Sequence, residues 1–182
     1  MNEVQAIKDR QHIELMKQAL HGRDLLLFTV GINVGLRISD LLALKVRDLR
    51  GKTSVQIREG KTGKVRTFAL NNAVCTAVES LLTDCNDDDY VFKSRKGVNK
   101  PISRVQAYRV LNDAIDRAGL SDIYGSFGAH SLRKTFGYFA YASKVDIALL
   151  MRVLNHSSAR ETLRYIGIES ENVADVYHAV NL

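Results

Sequence analysis

The chain has 182 residues, 46% hydrophobic and 25% charged, enough for one domain with its own core and too few for two of ordinary size. Its longest apolar stretch, LLLFTVGINVG, falls well short of the ~20 residues a membrane span needs, and MNEVQAIKDR lacks the basic-then-apolar pattern of an export signal, so the expected location is cytoplasmic. Lysine and arginine (26) outnumber aspartate and glutamate (20), a net charge of +6 that permits a nucleic-acid partner without requiring one, while Cys75 and Cys85 fit reduced thiols better than a disulfide or a metal site.

Residues 3–20 carry Ile7, Ile13, Leu15, Met16 and Leu20 at helical spacing and predict an amphipathic helix. His21-Gly22 interrupts it, and 23–34 predicts a second, more buried helix. SDLLALKV begins a third, with Ser39 or Asp40 near its N-terminus. From 53 to 70 the period changes. Val55 and Ile57 alternate with polar residues, and Val65, Thr67 and Phe68 follow Thr62-Gly63, which predicts a hairpin closed by a tight turn.

Residues 72–83 return to helical period, YVF (90–92) predicts a short strand, and KSRKGVNK predicts an exposed loop. Ser103 is placed to cap a helix running from 104 to about Ala118, which Gly119 ends. Further helices are predicted near 130–142, 146–153, 158–166 and 170–180. The class is α+β, mainly α-helical with a small antiparallel sheet, and no repeat or linker divides the chain.

Four stretches carry candidate chemistry. AHSLRKTF places His130 and Arg133 at i and i+3 on a predicted helix, a titratable ring and a forked cation on one face. Standing alone, such a pair is more often a surface pair. GLRISDLLAL sets Arg37 before an apolar helix, with Asp40 three residues on and expected to orient its guanidinium; the plainer alternative is a solvated ion pair. EGKTGKVR puts Lys61 immediately before the hairpin turn, where it can reach into a site and donate a proton. On spacing alone, Lys61, Lys64 and Arg66 equally well keep the ribbon soluble or touch phosphates. LNHSSARETLRYIG supplies His156 and then Tyr165 between basic residues. A phenol, with its pKa of about 10, needs cationic company to act as a nucleophile.

Taken in order, Arg37, Lys61, His130-Ser-Leu-Arg133, His156 and Tyr165 resemble the catalytic signature of the tyrosine recombinases, the phage-integrase family. The resemblance spans essentially the whole chain. It implies that Tyr165 attacks a DNA phosphodiester to form a 3′-phosphotyrosyl bond and release a 5′-hydroxyl. Arg37 and Arg133 would grip the non-bridging oxygens and His156 would donate to the same phosphate. Lys61 would protonate the leaving oxygen, and His130 would assist proton transfer at Tyr165. It further implies double-stranded DNA as partner, a tetramer on DNA, association with the nucleoid, and no cofactor or metal. Candidate phosphate contacts are Lys64, Arg66, Arg95, Lys96, Lys134, Arg160 and Arg164.

The chain departs from the family pattern in places. Asn155 stands where Gly is usual, Asp40 replaces the commoner Glu, and Ile166-Gly167 follows the tyrosine in place of Thr-His. Few residues precede Arg37, so residues 1–182 are expected to form one catalytic domain without the helical core-binding domain many members carry. The amphipathic tail, with Val173, Val176, Tyr177 and Val180, is expected to pack either on a neighbouring protomer or on its own domain. A non-catalytic DNA-binding accessory factor and a type IB topoisomerase are the alternative functions; the missing carboxylate cluster disfavours a metal-dependent nuclease.

Overall fold

The computed structural model describes residues 4–168, which form ten helices and one two-stranded sheet. The first helix, α1 (Arg10–Gln18), starts later than its apolar spacing predicts. Asp9 caps it by accepting from Gln11 N, and the preceding segment is held off the helix by a tertiary bond, Ile7 N to the Thr135 hydroxyl at 2.9 Å. A backbone N–H taken by a distant side chain cannot join a helix ladder.

Helix α2 (Gly22–Val34) lies at the centre of the molecule, because its residues point into two cores. Leu27, Val30 and Val34 face the sheet and α5 (Asn72–Leu81); Phe28 faces α1, α6 (Arg104–Arg117) and α8 (Ala129–Ala142). Helices α2 and α8 approach closely at Gly31, where any Cβ would meet Leu132 Cδ1 at 2.6 Å. That contact fixes α8, which carries His130 and Arg133, against α2.

The predicted third helix is broken in two, α3 (Ile38–Leu42) and α4 (Val46–Leu49). Segment 86–90 accounts for the break: Val46 N and Arg47 N donate to the carbonyls of Asp89 and Asp87, and Lys45 forms a β-bridge with Tyr90. The acidic run serves this clip, with Asp87 and Asp88 paired to Arg50 and Arg47 at 2.6 and 2.5 Å. Residues 90–92 are therefore no strand; Tyr90 and Lys93 make only isolated bridges, to Lys45 and Pro101.

Strands β1 (Ser54–Arg58) and β2 (Val65–Ala69) pair antiparallel, with Val55 opposite Phe68 and Arg58 opposite Val65. Their connection is wider than a two-residue turn. Glu59 N donates to Lys64 O and Gly63 N to Glu59 O, closing a loop over 59–64 in which Gly63 has φ +66°. Ser103 caps α6 as expected, accepting from Gln106 N.

The short α7 (Ser121–Tyr124) leads into α8. Helix α9 (Ile147–Leu154), capped by Asp146, and helix α10 (Ala159–Ile166), capped by Ser158, pack on α8 through Leu150, Leu154 and Ile166. The predicted helix at 170–180 and the amphipathic tail lie outside the described residues. No described helix is long and apolar enough to cross a membrane.

Candidate active site

Arg133 is the best-anchored of the candidate residues. Its side chain is buried, 4% exposed, with Nη1 donating to Gly35 O at 2.6 Å and Nη2 to Leu154 O at 2.7 Å. Gly35 caps the C-terminus of α2 in a left-handed turn (φ +59°), and Leu154 is the last residue of α9. The guanidinium thus joins two helix C-termini, where carbonyls lack helical partners and the dipole favours a cation. Burial, opposed by the Tyr165 phenol, pushes the Arg133 pKa down to about 10, so it stays charged at neutral pH.

Arg37 stands at the N-cap of α3 with extended backbone (φ −67°, ψ 147°). Its ion-pair partner is Glu59, Nη1 to Oε2 at 2.8 Å, and not Asp40. The i,i+3 rule that pointed to Asp40 holds within a helix, and a residue at the N-cap lies outside one. Asp40, 6% exposed, instead accepts from Gly60 N through Oδ1 at 2.9 Å, and its Oδ2 has no partner among the described residues.

Glu59 binds three groups: Arg37, Arg66 at 3.4 Å and the Thr62 hydroxyl at 2.8 Å. Burial would raise its pKa, but the bonds from Thr62 and Arg37, with the charge of Arg66, hold it below the usual carboxylate range. Sequence reasoning missed Glu59. A signal was present, since Arg37 and Arg66 in an apolar setting demand a counter-charge.

Lys61 sits in the loop itself, exposed, rather than immediately before the turn. Its charge reaches His130, whose pKa is lowered first by burial and then by Arg133, Lys134, Arg37 and Lys61. His130 is exposed at the start of α8, where partial desolvation and the surrounding cations disfavour its protonated form. Lys64 Nζ contacts Asn155 Oδ1 at 3.4 Å, linking the hairpin loop to the turn before His156. Asn155 has φ +53° and ψ 49°, the left-handed conformation that Gly or Asn takes after a helix.

His156 Nδ1 lies 3.1 Å from the Thr162 hydroxyl, which also donates to Ser158 O at 3.1 Å. Burial, partly offset by Glu161, lowers the His156 pKa. The ring meets Tyr165 edge to face, centroids 4.9 Å apart and planes at 75°. The Tyr165 hydroxyl is buried and has no hydrogen-bond partner among the described residues. Burial raises its pKa, opposed by the Arg133 guanidinium, which approaches the hydroxyl without meeting hydrogen-bond geometry, and by the charge of Arg37.

The structure therefore sets Arg37 and Arg133 within electrostatic reach of His130, His156 and Tyr165, and Lys61 within reach of His130, with contributions from the hairpin, α3, α8, and the α9–α10 turn with α10. Two predicted phosphate contacts are withdrawn from the surface. Arg66 turns inward to Glu59 and Val34 O, and Lys134 is buried with its ammonium 5.3 Å from the centre of the Tyr165 ring. Lys64, Arg95, Lys96, Arg160 and Arg164 are exposed.

The profile of the phage integrase family matches residues 2–171. The chain belongs to that family. It is 42% identical over 180 residues to the probable integrase/recombinase YoeC of Bacillus subtilis strain 168, covering 97% of each chain. The fold superposes on the crystal structure of XerA recombinase with a TM-score of 0.78 at 19% identity, covering 100% of this chain and 66% of that one. It also matches a lambda integrase tetramer bound to a Holliday junction, with a TM-score of 0.69 at 17% identity over 96% of this chain and 52% of the other. The chain thus spans nearly the whole of YoeC and about half to two thirds of these solved chains. It is a tyrosine recombinase catalytic domain, a DNA strand-transferring enzyme.

Proposed function

We propose that the described residues form a single catalytic domain that cuts and rejoins double-stranded DNA through Tyr165. Its oxygen attacks phosphorus, the P–O5′ bond breaks, and a 3′-phosphotyrosyl bond forms. The phenolic proton passes to neutral His130, and the Lys61 ammonium gives a proton to the departing 5′-oxygen. Attack by another strand's 5′-hydroxyl reverses the step, so the phosphodiester energy is conserved.

The observation that carries this reading is the buried Tyr165 hydroxyl, left without a partner beside Arg133, His156 and the Lys134 ammonium. Leaving such a group unpaired costs about 1–3 kcal/mol, a cost that a scissile phosphate in the site removes. Arg37 and Arg133 supply fixed cations where charge grows on the pentacoordinate phosphorus. With its one proton given to Ser158 O, the Thr162 hydroxyl accepts from His156 Nδ1–H, so a hydrogen bond from His156 Nε2 to a phosphate oxygen requires the imidazolium or a turn of the Thr162 hydroxyl toward Nδ1.

Exposed Lys64, Arg95, Lys96, Arg160 and Arg164 are the phosphate contacts in this reading. The tetrameric assembly of lambda integrase on a Holliday junction supports a tetramer on DNA as the working form, and a double-stranded DNA substrate puts its action at the nucleoid in this reading. The test is covalent trapping: nicked duplexes of randomised sequence, excess EDTA, and detection of an SDS-resistant adduct. Wild type forms the adduct and Tyr165→Phe does not. DNA binding without any adduct would instead favour an accessory DNA-binding role.

A further inference from the structure

We propose that Glu59 is a positioning residue for strand transfer, holding the Arg37 guanidinium and the Lys61 loop in one arrangement; this rests on the roles proposed above for Arg37 and Lys61. Glu59 is the first residue of the 59–64 loop, and its side chain is 5% exposed. A single oxygen, Oε2, accepts from Arg37 Nη1 at 2.8 Å and from the Thr62 hydroxyl at 2.8 Å. One atom thus connects a phosphate-gripping arginine to the residue next to Lys61. The other oxygen takes Arg66 at 3.4 Å.

The backbone around Lys61 is tied in the same way. Gly60 N donates to Asp40 Oδ1, Gly63 N to Glu59 O, and Lys64 N to the Thr62 hydroxyl at 3.3 Å. Both carboxylates that hold the loop therefore belong to the Arg37 region or contact it, while the Lys61 side chain is left exposed. The charge balance explains why an acid is needed. Arg37 and Arg66 converge on this point, and without Glu59 they would repel each other in a partly buried setting. Arg37 would then shift, and the loop would lose its anchor to it.

An ordinary structural ion pair would affect folding but not one proton transfer in particular, and leaving-group chemistry separates the two. Replacing the 5′-bridging oxygen of the scissile step with sulfur gives a thiolate leaving group that needs no general acid, since thiols ionise near pH 8.5. The experiment measures adduct formation in EDTA by wild type, Glu59→Gln, Thr62→Val and Tyr165→Phe. Each acts on oxygen- and sulfur-bridged nicked duplexes with randomised flanks, alongside thermal melting and gel shift.

Thr62→Val, which removes the loop's bond to the Glu59 carboxylate and the Lys64 N bond to the same hydroxyl but leaves the Arg37 pair and the Glu59 backbone bonds, is expected to slow the oxygen substrate about ten-fold and the sulfur substrate less than about two-fold, part of the 10²–10⁴ that proton transfer provides. Glu59→Gln is expected to slow both substrates, the oxygen one about ten-fold further. Equal slowing of Thr62→Val on the two substrates, or wild-type rates for Glu59→Gln, overturns the proposal. If Glu59→Gln fails to fold, the Thr62→Val comparison decides alone. Wild type giving no Tyr165-dependent adduct on either substrate overturns the proposed function and this inference with it. A normal wild-type adduct with unaffected variants overturns the inference only.

Discussion

His156 and Tyr165 meet edge to face, ring centroids 4.9 Å apart, although the residues lie on opposite sides of the α10 N-cap. The contact depends on a short, fully specified turn. Asn155 leaves α9 in a left-handed conformation, Ser158 caps α10, and Glu161 reaches back to Ser157 N at 2.9 Å. The nucleophile and the phosphate-binding histidine of the proposed mechanism are thus placed by local chemistry, and Arg133 fixes the pair to the rest of the site through Leu154 O.

Because the Tyr165 hydroxyl is buried and unpartnered, its removal relieves a desolvation cost. Tyr165→Phe is expected to abolish covalent attachment, to bind DNA almost as wild type, and to be more stable by about 1 kcal/mol. Chemical denaturation and the trapping assay check both parts. A clear loss of stability would mean that the hydroxyl has a partner in solution.

Arg133→Ala removes a cation that the proposed mechanism places against the phosphate and leaves the Gly35 and Leu154 carbonyls without their guanidinium donors. Adduct formation is expected to fall about 10²–10³-fold or more, and stability by about 2–4 kcal/mol. Arg133→Lys should recover part of the stability but little of the rate, since an ammonium cannot reproduce the fork. Single-turnover cleavage and urea melts separate the two effects.

The pH dependence has a definite sign. His130 is held below the ordinary imidazole value of 6.5 by burial and then by Arg133, Lys134, Arg37 and Lys61, which favours its unprotonated, proton-accepting form. The acid limb of kcat/KM, which reports the free enzyme, is expected below pH 6.5. His156 is depressed as well, first by burial. With both folded pKa values lowered, the unfolded chain takes up protons first; their contribution to stability is complete above 6.5 and is lost as the pH falls below it. A pH–rate profile and melts across the same range test this.

Asn155→Ala places a residue with no side-chain amide at φ +53° and is expected to cost about 1 kcal/mol. That corresponds to roughly 2–4 °C in melting temperature for a chain of this size. Asn155→Gly should melt at or above the wild-type temperature, because glycine takes that conformation freely. Scanning calorimetry distinguishes them.

Much of this protein is determined by local sequence. The caps at Ser103 and Ser158, the alternation at Val55 and Ile57, and the helical spacing around His130 and Arg133 depend on near neighbours, whose rules are encoded in a few consecutive residues. The order of the candidate site residues, from Arg37 to Tyr165, is equally legible in one dimension. Tertiary structure decided what those residues bind. Residues 4–9 stay outside the first helix because Thr135 takes Ile7 N, and the third helix breaks because segment 86–90 binds its backbone. Arg37 pairs with Glu59, 22 positions away, rather than with Asp40 three away, because it sits at a helix cap and the hairpin folds back beside it. Arg66 and Lys134, basic residues that suit a DNA surface, turn inward to Glu59 and Tyr165. A buried charge takes whichever partner the packed chain brings within about 3 Å, and that choice depends on long-range contacts that no window of sequence contains.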